Sequence, residues 1–188
     1  MPARRSVFLC GFSGAGKSET GRILADRLGL EFLDTDDAIE AELGMSIPDA
    51  FERLGEKQFR TVESEVIRIA GRAGARVIAL GGGAVAENEN LAYIKRCGLL
   101  VYLRVSPEMA FRRLQNSHRR PKLKGTSPGT AKSTDDLLAA IVSLMAIREP
   151  FYRQADMSID TEGKSPAEVA AEIEQAVNRD ERQSVNRG

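Results

Sequence analysis

Five short apolar runs punctuate the chain, at residues 6–10, 31–33, 76–80, 99–105 and 157–159, and each reads as a strand. Between them the apolar positions change to a helical spacing. Ile23, Leu24 and Leu28 follow it, then Phe59, Val62, Val66 and Ile69, and finally Val169, Ile173 and Val177. Start signals agree with these helices. Ser46-Ile-Pro-Asp49 and Ser165-Pro-Ala-Glu168 read as capping boxes, and Ser106-Pro107 puts proline at a first helical position. Strands alternating with helices specify a parallel sheet covered on both faces, with ligands expected beyond the carboxyl ends of the strands. Two stretches break the pattern. Residues 115–136 are first basic and polar, then rich in Gly, Thr, Ser and Pro, which predicts a mobile lid. The polar residues 179–188 predict a disordered tail after a single domain at 1–178.

Composition narrows the class of partner. The 188 residues suit one full-sized domain, and 42% hydrophobic content supplies a real core. Lys plus Arg and Asp plus Glu are 27 each, so the basic excess of a nucleic-acid binder is missing. No apolar run approaches the ~18 residues of a membrane span. The apolar stretch after Met1-Pro-Ala-Arg-Arg5 is too short for a signal-peptide core, so a cytoplasmic protein is expected. Cys10 and Cys97, each read as part of a strand run, suggest buried thiols in a reduced compartment. No apolar stripe is left over once the core is assigned, so a monomer is expected.

Gly11-Phe-Ser-Gly-Ala-Gly-Lys-Ser18 matches G-x-x-x-x-G-K-[ST] in full, after a strand run and before a helical one. Glycines let the backbone wrap phosphate oxygens with its N–H groups, and the next helix adds its positive end. Lys17 suits the β- and γ-phosphates, and the Ser18 hydroxyl suits Mg²⁺. A glycine-rich turn of no function would not require this strand–loop–helix order. The motif marks a nucleotide-phosphate site but does not name an acceptor. An Asn-Lys-x-Asp guanine signature is absent, and small size with a basic lid favours a metabolite kinase over a GTPase.

Three more constellations fall at strand ends or on neighbouring helices. In Leu33-Asp-Thr-Asp-Asp37, carboxylates can hold a Mg²⁺ shell or accept a hydroxyl proton, or Asp36 or Asp37 can simply cap a helix. Gly81, Gly82 and Gly83 either open backbone N–H groups to a ligand or form a flexible turn. Arg60 and Glu63 lie three residues apart, just off the apolar stripe, as a surface ion pair or as part of an anion site. Arg120 in the lid and Arg148 after it carry the guanidinium geometry that suits carboxylate and phosphate. His118, the only histidine, has no second His or Cys nearby and reads as a solvated loop residue.

Taken together, the Gly11–Ser18 loop, Leu33-Asp-Thr-Asp36, Phe59-Arg60 with Glu63, Gly81 to Gly83, Arg120-Pro121 and Arg148-Glu-Pro-Phe-Tyr152 resemble the shikimate kinase family. They occur in the family order across residues 7–166. The resemblance implies a three-layer α/β/α P-loop fold with a five-stranded parallel sheet and a mobile lid. It implies transfer of the ATP γ-phosphoryl to the 3-hydroxyl of shikimate, with Mg²⁺, on the route to chorismate and the aromatic amino acids. By the same resemblance Gly14, Ala15, Gly16, Lys17, Ser18 and Glu19 would wrap the nucleotide phosphates. Arg113 and Pro166 would flank the adenine with Lys164 nearby, and Ser18 and Asp34 would serve the metal. Asp36 would orient or deprotonate the attacking hydroxyl. Arg60, Arg148 and the Gly81–Gly83 backbone would hold the shikimate carboxylate, with Glu63 setting the arginines and Arg120 swinging onto the transferring phosphate.

The chain departs from the family pattern at Lys122-Leu123-Lys124, in a long lid carrying residues 125–133, and at Glu19 in place of a frequent threonine. Two other readings compete. A gluconate-type kinase leaves the Arg60, Gly81–Gly83 and Arg148 set unexplained. A non-catalytic sensor of shikimate or nucleotide should have lost Lys17, Ser18, Asp36 or Arg120, and all are present.

Overall fold

The computed structural model describes residues 5–115 and 133–185, with side chains to residue 179. The five strands form where the apolar runs lie: β1 (Ser6–Cys10), β2 (Glu31–Asp34), β3 (Arg76–Ala79), β4 (Gly98–Arg104) and β5 (Met157–Asp160). They make one parallel sheet in the order β2-β3-β1-β4-β5. β1 is central, and all five of its residues are buried. A strand with neighbours on both edges and helices on both faces has no polar side to show, hence its unbroken apolar run.

The helices are α1 (Lys17–Leu28), α2 (Thr35–Leu43), α3 (Ile47–Arg72), α4 (Asn88–Cys97), α5 (Pro107–Gln115), α6 (Thr134–Tyr152) and α7 (Pro166–Val185). α1 packs with α7, and α3 packs with α4, giving the three layers. The chain leaves β1 towards β2 on one side, whereas β4 leads to β5 on the other. Adjacent strands that diverge in this way open a crevice at their carboxyl ends.

Local chemistry accounts for the helix starts. The Ser46 hydroxyl accepts from the Asp49 N–H, and the Ser165 hydroxyl from the Glu168 N–H, while Glu168 accepts back from the Ser165 N–H. Pro107 begins α5, and the Ser106 hydroxyl accepts from the Met109 N–H. A further capping box, Ser133 with Asp136, starts α6. Residues 134–136 therefore belong to a helix, and Gln115 closes α5, so the predicted lid contracts at both ends.

Several expectations are corrected. α7 runs on to Val185, because Arg, Glu and Gln sustain a helix without needing burial. Cys97 ends α4 rather than sitting in a strand, and both cysteines are free thiols. On α3 the buried positions are Ala50, Phe59, Glu63, Ile67 and Ala70, while Ile69 is 60% exposed. Phe59, with the partly buried Val62 and Val66, packs into a small apolar cluster, whereas Ile67 and Ala70 join the main core, so the buried side turns past Ile69. A break at Gly55 (φ 75°, ψ 167°) lies upstream of Phe59 and the positions that follow it. Apolar surface is also left over on α6, where Val142 and Ile147 are exposed. Among the described residues no helix is long and apolar enough to cross a membrane.

Candidate active site

The loop after β1 turns under the start of α1. Gly14 (φ 85°) and Gly16 (φ 87°) hold left-handed backbone that a side chain would strain. That conformation brings Lys17 back over its own loop, where the ammonium donates to the Gly11 and Phe12 carbonyls at 2.8 and 3.1 Å. Burial lowers the pKa of Lys17, and the nearby Asp36 and Asp34 carboxylates oppose that shift. Beside it, the Ser18 hydroxyl donates to Asp34 Oδ2 at 2.5 Å. Asp34 Oδ1 accepts from the Asp36 N–H at 3.0 Å, so Asp34 caps α2. The capping role read for Asp36 or Asp37 thus belongs to Asp34, the last residue of β2. This leaves the Asp36 side chain to the crevice, while Asp37 faces Arg22 at 3.6 Å.

Asp36 titrates well above an ordinary aspartate, pushed up to about 6 by burial first, then by the Asp34 charge, against the pull of Lys17. Burial likewise raises the Glu63 carboxyl, with Arg60 opposing. Glu63 is 1% exposed and accepts from Arg60 Nη1 at 2.6 Å, which replaces the surface-pair reading with a buried charge pair. The Arg60 guanidinium lies over the Phe59 ring at 5.5 Å and the Phe51 ring at 5.6 Å. Arg148, from the last turns of α6, lies over Phe12 at 5.8 Å.

Gly81, Gly82 and Gly83 connect these groups. None of the three has a positive φ, so a flexible or left-handed turn is not what selects glycine here. Room is. A Cβ on Gly81 would meet Asp36 Oδ1 at 2.6 Å and Glu63 Oε1 at 2.9 Å. On Gly82 it would meet Arg148 Nη1 at 3.2 Å, and on Gly83 the two Arg60 terminal nitrogens at 2.6 and 2.8 Å. Each missing side chain is a seat for a charged head. Among the described residues the N–H groups of Gly82 and Gly83 have no hydrogen-bond partner, which leaves two donors beside two guanidinium groups.

On the other side of the phosphate loop lies a cleft of about 340 Å³ lined by Gly14, Ala15, Gly16, Glu19, Arg113, Lys164 and Pro166. Arg113 donates to the Gly14 carbonyl at 3.0 Å and to Thr161, and Lys164 pairs with Glu172. The structure therefore divides the predicted residues into two groups on either side of Lys17. Arg120, with His118, Lys122 and Lys124, lies outside the described residues.

Sequence reasoning gave no role to Thr35, which accepts from the Gly81 N–H at 2.9 Å, or to the Tyr152 hydroxyl, which donates to the Gly82 carbonyl at 2.5 Å. The signal for Tyr152 was its place one helical turn after Arg148, on the same face of α6.

A phosphate loop flanked by a basic acceptor pocket and a separate base-sized cleft is the arrangement of a P-loop kinase acting on small molecules. Within that class the chain belongs to the shikimate kinase family, whose family model, "Shikimate kinase", matches residues 13–178. It is 44% identical over 169 residues to a shikimate kinase of Geobacter sulfurreducens, covering 90% of this chain and 88% of the relative. A solved shikimate kinase from Acinetobacter baumannii, in complex with shikimate, covers 94% of each chain with a TM-score of 0.84 and 34% identity. A gluconokinase from Sinorhizobium meliloti spans 100% of this chain and 99% of its own with a TM-score of 0.62, but at 16% identity that likeness concerns the fold alone.

Proposed function

We propose that this chain transfers the γ-phosphoryl group of ATP to the 3-hydroxyl of shikimate, giving shikimate 3-phosphate. The observation that carries this reading is the glycine triplet, whose missing side chains seat Arg60, Arg148, Asp36 and Glu63 around two unpartnered N–H groups. Two guanidinium groups and two N–H donors suit a carboxylate, and Asp36 beside them suits a hydroxyl on the same small molecule. A nucleoside monophosphate accepts on an ionised phosphate oxygen, so its reacting atom would give that carboxylate no proton to take.

In this reading the loop N–H groups and Lys17 hold the β- and γ-phosphates, and the base lies in the cleft of Arg113, Lys164 and Pro166. Asp36, with a pKa raised to about 6, takes the hydroxyl proton as the bond to phosphorus forms. Glu63 fixes Arg60 in the acceptor pocket, and the Phe51 and Phe59 rings limit its swing. The oxygen pair of Ser18 and Asp34 fits Mg²⁺, which favours hard oxygen donors and few protein ligands when phosphates complete its shell. Bound there, Mg²⁺ would offset charge on the transferring phosphoryl. All these residues come from one chain, and we read the working unit as a monomer; light scattering on the eluting protein checks this.

ADP release measured with Mg-ATP and shikimate, gluconate or nucleoside monophosphates in parallel tests the proposal. Shikimate-dependent turnover is expected, and it should be lost in Asp36→Asn. Turnover with gluconate alone, or shikimate binding without turnover, would overturn it. Arg60→Ala should raise the shikimate KM ~10–100-fold with little change in the ATP KM. Equal losses for both ligands would mean that α3 itself is disturbed.

A further inference from the structure

The loop that would hold the acceptor carboxylate is fixed one peptide plane at a time. In a trans peptide the C=O of one residue and the N–H of the next point in opposite directions, so anchoring either aims the other. The plane entering Gly81 is held by its N–H, which donates to Thr35 Oγ1 at 2.9 Å. The plane between Gly81 and Gly82 is held by the Gly81 carbonyl, which accepts from the Ala84 N–H at 3.1 Å. The plane between Gly82 and Gly83 is held by the Gly82 carbonyl, which accepts from the Tyr152 hydroxyl at 2.5 Å. The last two bonds therefore aim the Gly82 and Gly83 N–H groups, the two donors left without partners.

The first anchor stands at the start of α2, the second lies within the loop itself, and the third comes from α6. Tyr152 is 1% exposed, at the end of α6, and its ring stacks on Tyr102 with centroids 5.1 Å apart. Tyr102 is held in turn by its hydroxyl, which donates to Glu149 Oε2 at 2.6 Å. Burial raises the pKa of Tyr152, so the hydroxyl stays protonated and remains a donor at any working pH. The same helix carries Arg148 one turn earlier, with its guanidinium over the Gly82 Cα. α6 thus grips one residue of the loop at two points.

We infer that Tyr152 is a positioning residue for the acceptor carboxylate: by holding the Gly82 carbonyl it turns the Gly83 N–H towards the anion that Arg60 and Arg148 flank. This rests on the reading of the site as a shikimate pocket. Without the hydroxyl the plane is free to rotate, since glycine on both sides offers little resistance. The donor is then aimed only part of the time, and acceptor binding weakens while the nucleotide side is untouched.

The test is Tyr152→Phe, which keeps the ring and its stacking. Binding is measured for shikimate, for an analogue with the carboxylate replaced by hydroxymethyl, and for ATP. The variant should bind shikimate about five- to twenty-fold more weakly and have a shikimate KM raised by the same factor. The kcat, ATP binding and analogue binding should stay within about twofold. Unchanged shikimate binding would overturn the inference. So would an equal loss for shikimate and analogue, because a general loosening of the fold does not depend on the carboxylate. If the unaltered protein binds both compounds alike, the carboxylate reading of the pocket itself fails, which is a separate result. The unaltered protein also gives a test that needs no variant. With ¹⁵N-glycine labelling, shikimate should move the Gly83 amide resonance strongly downfield, and the analogue should not. A Gly83 amide indifferent to shikimate would overturn the inference whatever the variant does.

Discussion

Replacing Asp36 by Asn should make the protein more stable and inactive at once, and the size of the gain follows from its surroundings. An ordinary aspartate titrates at 3.8, whereas Asp36 is pushed up to about 6 by burial and by Asp34. At 1.36 kcal/mol per pH unit, ionising Asp36 in the folded protein costs ~3 kcal/mol more than in the unfolded chain. Its edge keeps some contact with solvent, which screens part of this and leaves ~1–2 kcal/mol. Below about pH 4 the carboxyl is protonated in both states, and the charge costs nothing. Between about pH 4 and pH 6 the folded state holds a proton that the unfolded chain has released, so the wild type loses stability as pH rises. Above pH 6 the deficit is constant. Urea unfolding of wild type and Asp36→Asn at pH 4, 6 and 8 should show a gap that opens across this window in favour of Asn. Turnover of the variant should fall ~10²–10⁴-fold, the contribution of a positioned base. A gap of the same size at pH 4 and pH 8, or an Asn variant less stable at pH 8, would refute the reasoning.

Two glycine substitutions should separate function from fold. In Gly83→Ala the new Cβ meets only the end of the Arg60 side chain and no backbone atom, so the shikimate KM should rise ~10-fold while the protein still folds to a soluble product. In Gly98→Ala the Cβ would lie 2.1 Å from the Ser6 carbonyl oxygen, a backbone atom of the neighbouring strand, and soluble yield should collapse. Ser18→Ala should raise the Mg²⁺ concentration needed for half-maximal rate ~10–100-fold, and chelation by EDTA should stop turnover of the wild type without unfolding it. Arg113→Ala removes the bonds to Gly14 and Thr161 and should raise the ATP KM several-fold while the shikimate KM stays put, as steady-state kinetics would report.

What could be read from the sequence was local. Strand runs, the Gly11–Ser18 loop and the caps at Ser46, Ser106 and Ser165 each depend on a few adjacent residues, and they fall where expected. The family resemblance supplied which distant residues meet, and the structure brings Asp36, Arg60, Glu63 and Arg148 together around the triplet. What was hidden depends on long separations or on space. Tyr152 and Gly82 are 70 positions apart, and Thr35 and Gly81 are 46 apart, and neither pair leaves a periodic trace. The glycines show in sequence only that a side chain is absent, not what occupies its place. The α3 stripe misled at Ile69 because the helix passes from the small apolar cluster, which takes Phe59, Val62 and Val66, to the main core, which takes Ile67 and Ala70, and a single period does not show that change of partner.

The apolar interior comes in two pieces, and this separates two stabilities within one chain. The larger piece holds the sheet, while Ile39, Ala50 and Phe59, with Phe51 stacked on Phe59 at 4.0 Å, form a small one from α2 and α3 alone. So small a core resists opening less than the sheet, and the amides around it should exchange with solvent through an opening that leaves β1, β3 and β4 closed. Arg60 follows directly on Phe59, so an acceptor that grips Arg60 also grips this core. The acceptor then acts as a folding ligand for that corner, and its measured affinity is what remains after the corner has been ordered. Loosening the ring pair beneath Arg60 should therefore read out as weaker acceptor binding in a protein whose sheet is intact.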